Sequence, residues 1–259
     1  MVIGAVHFPP LLGYPNSPGL TTALQLAKRD IRTFVDGGAN AIIIENNYDL
    51  PHFEKVPVGS STSLTYLAAE IRKTFPKTFL GISVLWNDYH CALSIAKICH
   101  LNFIRVPVFV DTVKTSCGII QGSPDDVIRY RRKIKAENVQ LFTDIHVKHS
   151  ILLSKYSLQQ SARLAKKKGS DAIIVTGNWT GDAPQTSNLA LVRNTVGDFP
   201  ILAGSGVNSE NINSIFRLAN GAIVSTSLKN GAINRQLTNL TDWHQRIASS
   251  KVKKLTQKI

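Results

Sequence analysis

Acidic residues are scarce in this chain of 259 residues: 17 Asp and Glu stand against 30 Lys and Arg, a formal net charge of +13. Anionic partners are therefore favoured, whether phosphorylated metabolites, nucleic acid or acidic membrane surfaces. Cysteine is also scarce, at 3. Cys91 and Cys99, on one expected helix, are separated by roughly 12 Å of axial rise, too far for a disulfide. No CxxC pair occurs, so neither a disulfide framework nor a structural zinc site is supported. Long apolar runs are missing too: stretches such as Ala41-Ile42-Ile43-Ile44 stop far short of the ~20 residues needed to cross a bilayer. The opening Met1–His7 has no basic flank and reads as a first strand rather than a signal peptide, which makes the reduced cytoplasm the expected setting.

What is present suffices for a core. Hydrophobic residues make up 43% of the chain and mean hydropathy is near zero, so wholesale disorder is excluded. Short β-branched runs recur near Val2–Val6, Ala41–Glu45, Phe79–Leu85, Phe103–Val108, Val139–Ile145, Ala172–Thr176, Ile201–Gly204 and Ala222–Ser225. Each is followed by polar or glycine-rich residues and then a stretch of helical period, such as Leu24, Ala27, Ile31 and Val35 before Gly37-Gly38. Eight strand-helix units predict a single α/β domain, a (β/α)8 TIM barrel over residues 1–259, with an open doubly wound sheet as the alternative. Lys251, Lys253, Lys254 and Lys258 mark 245–259 as a basic C-terminal tail.

In such barrels function sits at the C-terminal ends of the strands. His7 ends the first expected strand, Glu45 and Asn46 the second, and Asn87-Asp88 follow the third. Arg105 lies in the fourth, and a long loop then runs to Gly122. The fifth ends in Asp144-Ile145-His146-Val147-Lys148-His149, where period two puts Asp144, His146 and Lys148 on one face. Such a trio can tune pKa values and pass protons, and a lysine amine can form an imine with a carbonyl. His149 reads as structural. The sixth strand offers Thr176 and Thr180. After the seventh and eighth come Gly204-Ser205-Gly206 and Ser225-Thr226, the loops where barrels often hold phosphate on glycine backbone and a helix N-terminus. A divalent metal on Asp144 and His146, completed by Glu45 or His7, is a further option, with no cofactor certain.

These segments together resemble the BtpA family over about residues 3–230. The resemblance rests on Ile3–Leu11, Glu45-Asn46 with Asp49, Asn87-Asp88, Phe103–Val106, Gly118–Gly122, Arg129–Arg132, Asp144–His149, Thr176-Gly177 with Thr180-Gly181, Gly204–Val207 and Gly221–Val224. The chain departs from the family's pattern at Trp86, where Arg is usual, at Asn220, where Asp is usual, and at Ser225, where Gly is usual. The resemblance implies a barrel similar to ribulose-phosphate-binding ones. It implies no settled reaction, the family being named for a factor in photosystem I accumulation.

The expected function is an enzyme acting on a small phosphorylated, sugar-phosphate-like metabolite, of isomerase, epimerase or lyase type. Lys148, His146, Asp144, Glu45 and Asp88 are the candidate catalytic groups. His7, Asn46, Asn87, Arg105, Thr176 and Thr180 are candidate substrate contacts. Gly204, Ser205, Gly206, Ser225 and Thr226 are candidate phosphate contacts. The alternative is a non-catalytic ligand-binding or assembly factor. Nucleic acid is disfavoured because aromatics do not interleave with the basic clusters; no membrane insertion is expected, and self-association into a homo-oligomer is an open expectation.

Overall fold

The computed structural model describes residues 1–234, 239 and 241–259. Eleven strands lie in it among the described residues, and eight form the barrel: β1 (Val2–His7), β2 (Ala41–Glu45), β3 (Phe79–Ser83), β4 (Phe103–Val106), β7 (Gln140–Ile145), β9 (Ala172–Thr176), β10 (Ile201–Gly204) and β11 (Gly221–Val224). All pair in parallel and close in the order β1-β11-β10-β9-β7-β4-β3-β2. The expected (β/α)8 barrel is the fold.

Helices cover the outside, α1 (Leu20–Asp36) through α8 (Ser249–Thr256). α4 (Pro124–Lys133) starts on its N1 proline with Asp125 and Asp126 in the first turn. α5 (Leu158–Lys167) begins with a reciprocal capping box between Ser157 and Gln160 and ends in lysines, which favour the negative end of the helix dipole. The apolar stripe of α1 buries Ala23, Ala27, Ile31 and Phe34 against the strands.

Residues 245–259 are not a free tail. α8 buries Val252 and Leu255 beside α1, with a Val252 methyl where a Cβ on Gly37 would lie. Its lysines are the solvent face of an amphipathic helix, a pattern of few residues that composition alone disguised as a tail. The buried Arg246 guanidinium meets Asp30 at 3.1 Å and fixes the approach to this helix.

The long loop after β4 also proves to be structured. β5 (Thr112–Thr115) and β6 (Gly118–Gln121) form a hairpin, and β8 (Ile151–Leu152) joins β5 to make a three-stranded antiparallel flap. Trp86, Val108, Val113, Ile120 and Val147 form its small core. Buried Asp111 anchors it, accepting from the His146 backbone N–H (2.9 Å) and from the Ser154 and Ser161 hydroxyls.

Inside the barrel, Ile3, Ala5, Ala41, Ile43, Phe103, Phe142, Ala172, Ile174, Leu202 and Ile223 make one apolar cluster. Phe103 stacks between Phe79 and Phe142, with ring centroids 5.4 and 4.5 Å away. Gly81 leaves the room: a Cβ there would sit 2.4 Å from the Phe103 ring. Because strand side chains alternate, the next inward positions toward the C-terminal end are His7, Glu45, Ser83, Arg105, Asp144, Thr176 and Gly204. The barrel's lower interior is therefore apolar and its upper interior polar.

Candidate functional site

That polar layer floors a cavity of about 410 Å³ at the C-terminal mouth, a size typical of small-molecule sites. Its centre is an ion cluster. Arg105 grips Asp144 with two hydrogen bonds of 2.8 Å, from Nε and an Nη, and its other Nη reaches Glu45 at 3.3 Å. All three are buried. Burial alone would lower the guanidinium's pKa; the Asp144 and Glu45 carboxylates outweigh it and hold the pKa above its ordinary value.

His7 stands against Glu45, Nε2 to Oε2 3.5 Å, while Nδ1 lies 3.3 Å from the Asn47 amide nitrogen. With the Asn47 N–H donating to Nδ1, the proton belongs on Nε2, facing Glu45. Burial, reinforced by Lys229, Lys148 and Arg105, holds the His7 pKa well below 6.5, so the ring is neutral at pH 7.

Lys148 lies across the barrel from His7, since β7 and β1 are four strands apart in either direction around the ring. Its Nζ donates to the Ser205 hydroxyl at 2.5 Å and to Thr180 Oγ1 at 3.5 Å. Burial and then Arg105 lower its pKa to about 8 against the opposing pull of Glu45, Asp144 and Asp182. An amine of that pKa is a usable base or nucleophile near neutral pH.

The β9–β10–β11 side of the cavity is lined by Thr180, Gly204, Ser205, Gly206, Ser225 and Thr226. Ser205 and Gly206 both take positive φ, 70° and 63°, and a Cβ on Gly206 would lie 2.0 Å from the Ala183 amide nitrogen. Only glycine fits there. The Ser225 hydroxyl is buried with no hydrogen-bond partner among the described residues.

Several sequence candidates lie elsewhere. β7 stops at Ile145, and His146 takes φ 46°, so the alternation breaks and His146 does not share a cavity face with Lys148. Its place is taken by His149, which lines the cavity and meets Thr180 Oγ1 at 2.6 Å. Burial, with Lys148 and Arg105 nearby, lowers the His149 pKa to about 4. Asp88 caps α3 (Tyr89–Ile98), accepting from the Cys91 and Val56 amides. Asn46 braces Leu85 and Asn87 braces Val108, each through paired main-chain hydrogen bonds. Thr176 accepts from the Lys148 amide and faces a neighbouring polar groove with Asp182 and Asn208. Sequence reading passed over Asn47, His52 and Ser116, which line the cavity from loops whose course strand patterns do not predict.

The residues do not fit the metal option. Both Asp144 oxygens are engaged by Arg105, His146 lies off the cavity, and among the described residues no group of three or more His, Cys, Asp or Glu converges. Nor is any helix among the described residues long and apolar enough to cross a membrane.

Fold and cavity together define the class: a (β/α)8 barrel with a polar-floored cavity at its C-terminal mouth. The chain belongs to the BtpA family, whose model matches residues 1–252. An uncharacterized protein of Archaeoglobus fulgidus is 36% identical over 232 residues, covering 90% of this chain and 92% of its own. The photosystem I biogenesis protein BtpA of Synechocystis is 34% identical over 239 residues, 91% of this chain and 83% of its own. Among solved structures, phosphoribosyl anthranilate isomerase from Thermus thermophilus superposes with TM-score 0.60 at 10% identity, over 99% of this chain and 97% of its own. The (S)-3-O-geranylgeranylglyceryl phosphate synthase of Thermoplasma acidophilum, with sn-glycerol-1-phosphate, gives 0.59 at 11%, over 100% and 92%. At such identities the structural likeness concerns the fold.

Proposed function

We propose that this protein is an enzyme acting on a small phosphorylated, sugar-phosphate-like metabolite at the C-terminal mouth of the barrel. The observation that carries the reading is Lys148: a half-buried, cavity-lining lysine with its pKa lowered to about 8, its amine held 2.5 Å from Ser205 and across the cavity from neutral His7. The phosphate lies on the Gly204-Ser205-Gly206 turn and the Ser225 and Thr226 hydroxyls, whose main-chain N–H groups and orphan Oγ suit an anion. The barrels it resembles include one solved with sn-glycerol-1-phosphate and a phosphoribosyl anthranilate isomerase, which supports the phosphate assignment.

With phosphate so placed, a carbonyl in the middle of the cavity lies between Lys148 and His7. Neutral Lys148 takes a proton from the adjacent carbon, or adds to the carbonyl and loses water to give an imine. His7, its Nε2–H aimed by Glu45, protonates the developing oxyanion. Glu45 and Asp144 hold Arg105, and through it the charge balance that sets the Lys148 pKa. His149 with Thr180 positions the lysine.

A thermal-shift panel of phosphorylated metabolites, run with EDTA and with added divalent metals, tests the reading. A ligand at 100 times its Kd adds about 2.7 kcal/mol, roughly 5 to 10 °C in Tm for a domain of this size, and the shift disappears in Gly204→Asp. Borohydride in the presence of the hit, followed by mass spectrometry of the Lys148 peptide, separates imine from proton-transfer chemistry. The likeness to a biogenesis protein favours a second reading, a non-catalytic assembly factor that retains the pocket. Lys148→Ala decides between them: lost turnover with ligand binding retained supports the enzyme, and intact cellular function in that variant supports the factor.

A further inference from the structure

The cavity has two unlike walls. The glycine- and hydroxyl-bearing turn after β10 faces the loop after β3, because those strands are four apart either way around the ring. That opposite wall, formed by the loops after β2, β3 and β4, is lined by Leu50, Pro51, His52, Leu85, Trp86 and Pro107. Among the described residues it presents no Lys, Arg, Asp or Glu beyond the Glu45–Arg105 pair at its base. His52 is a titratable group on this wall; burial lowers its pKa to about 4, so the ring is neutral. Its Nε2 lies 3.4 Å from the Asn46 carbonyl and donates to it, which leaves Nδ1 as an acceptor. Trp86 is held from two sides: its amide donates to Phe53 O at 2.9 Å, and its indole packs into the flap core with Val108, Val113, Ile120 and Val147.

We infer that this wall is a second subsite, which takes a planar uncharged ring joined to the phosphorylated part of the substrate, so that the ligand class is a ring-bearing sugar phosphate such as an N-glycoside 5′-phosphate. The inference rests on the phosphate placement proposed above. A bare sugar phosphate would turn hydroxyls toward an apolar wall and leave them without partners. A ring instead buries its faces against indole, imidazole and proline, and its few polar edge atoms meet His52 Nδ1, Asn47 and Ser116. Phosphate and ring at opposite ends place the linking sugar between Lys148 and His7, on the perpendicular axis of the barrel.

Isothermal titration of the purified protein with ribose 5-phosphate, the four ribonucleoside 5′-monophosphates and geranyl phosphate tests this. At least one ribonucleoside monophosphate is expected to bind ten-fold or more tighter than ribose 5-phosphate. Trp86→Ala removes that gain and leaves ribose 5-phosphate binding unchanged. Half-exposed Leu50→Asp charges the same wall without entering the flap core and has the same effect, so the result does not depend on one variant folding. Ribose 5-phosphate binding as tightly as every ring-bearing ester overturns the subsite and spares the phosphate reading. Geranyl phosphate binding tightest overturns the planar ring in favour of an aliphatic chain. Binding of none of the probes overturns the phosphate reading and the subsite with it.

Discussion

Replacing Lys148 by Met should make the protein more stable at pH 7 and slow any turnover. In the folded state the amine's pKa is about 8 against an ordinary 10.5, chiefly through burial. A group that binds its proton less tightly folded than unfolded costs stability while protonated. The folded pKa is depressed, so stability rises with pH between about 8 and 10.5, where the unfolded chain holds more protons than the folded one. Integrating over the two values at 1.36 kcal/mol per pKa unit, the wild type should gain roughly 2 to 3 kcal/mol on Lys148→Met between pH 7 and pH 10. Methionine does not titrate, so the difference between the two proteins isolates this one amine from the other basic groups, including buried Lys229, whose pKa burial also lowers to about 8. Denaturant unfolding of both proteins at pH 7, 8, 9 and 10 measures it, with the shift at pH 7 amounting to roughly 5 to 10 °C in Tm. A stability difference that stays flat across that range would refute the reasoning. It would mean that Lys148 reaches water and is an ordinary surface amine.

Other consequences follow from the same geometry. Arg105→Gln leaves Asp144 and Glu45 buried without their cation and should cost about 3–5 kcal/mol at pH 7 in denaturant unfolding; a loss under about 1 kcal/mol, the range of an exposed ion pair, counts against the cluster. Gly206→Ala forces a methyl onto the Ala183 amide and should lower Tm while abolishing any phosphate-ester shift; an unchanged Tm shows that the turn has another shape. Asp111→Ala removes the acceptor for the His146 amide and the Ser154 and Ser161 hydroxyls. The flap should then open to limited proteolysis between 112 and 121 before the barrel melts, and uniform protection would assign its stability to the apolar core alone.

Much of the barrel could be read along the chain because each barrel strand is buried on both faces. Continuous Ile and Val runs bounded by polar turns leave little else for those segments to be. The capping box at Ser157 and the proline start of α4 are equally local, and the polar strand ends pointed to the mouth. His7, Glu45, Arg105, Lys148, Thr180 and the Gly204–Gly206 turn do meet around one cavity. Asn46, Asn87 and Asp88, chemically just as suitable, brace main chain instead, because neighbouring loops bring backbone amides to them.

Where local periodicity ends, only the tertiary structure decides. Asp144, His146 and Lys148 alternate in sequence, but Asp111, reaching over from the chain after β4, captures the His146 amide and turns the backbone away from the strand path. That one long-range hydrogen bond belongs to the flap, a hairpin hidden in a loop until β8 pairs with it. The lysine-rich end is likewise a docked helix only because Gly37, the residue that caps the end of α1, makes room for Val252. The amino-acid sequence by itself determined the barrel, its polar mouth and its positive charge, since those depend on residue type and period. Which of the mouth's side chains face the cavity, and which protonation states they hold, depended on contacts between residues far apart in the chain. Burial and neighbouring charge, which set those states, exist only once the barrel has closed.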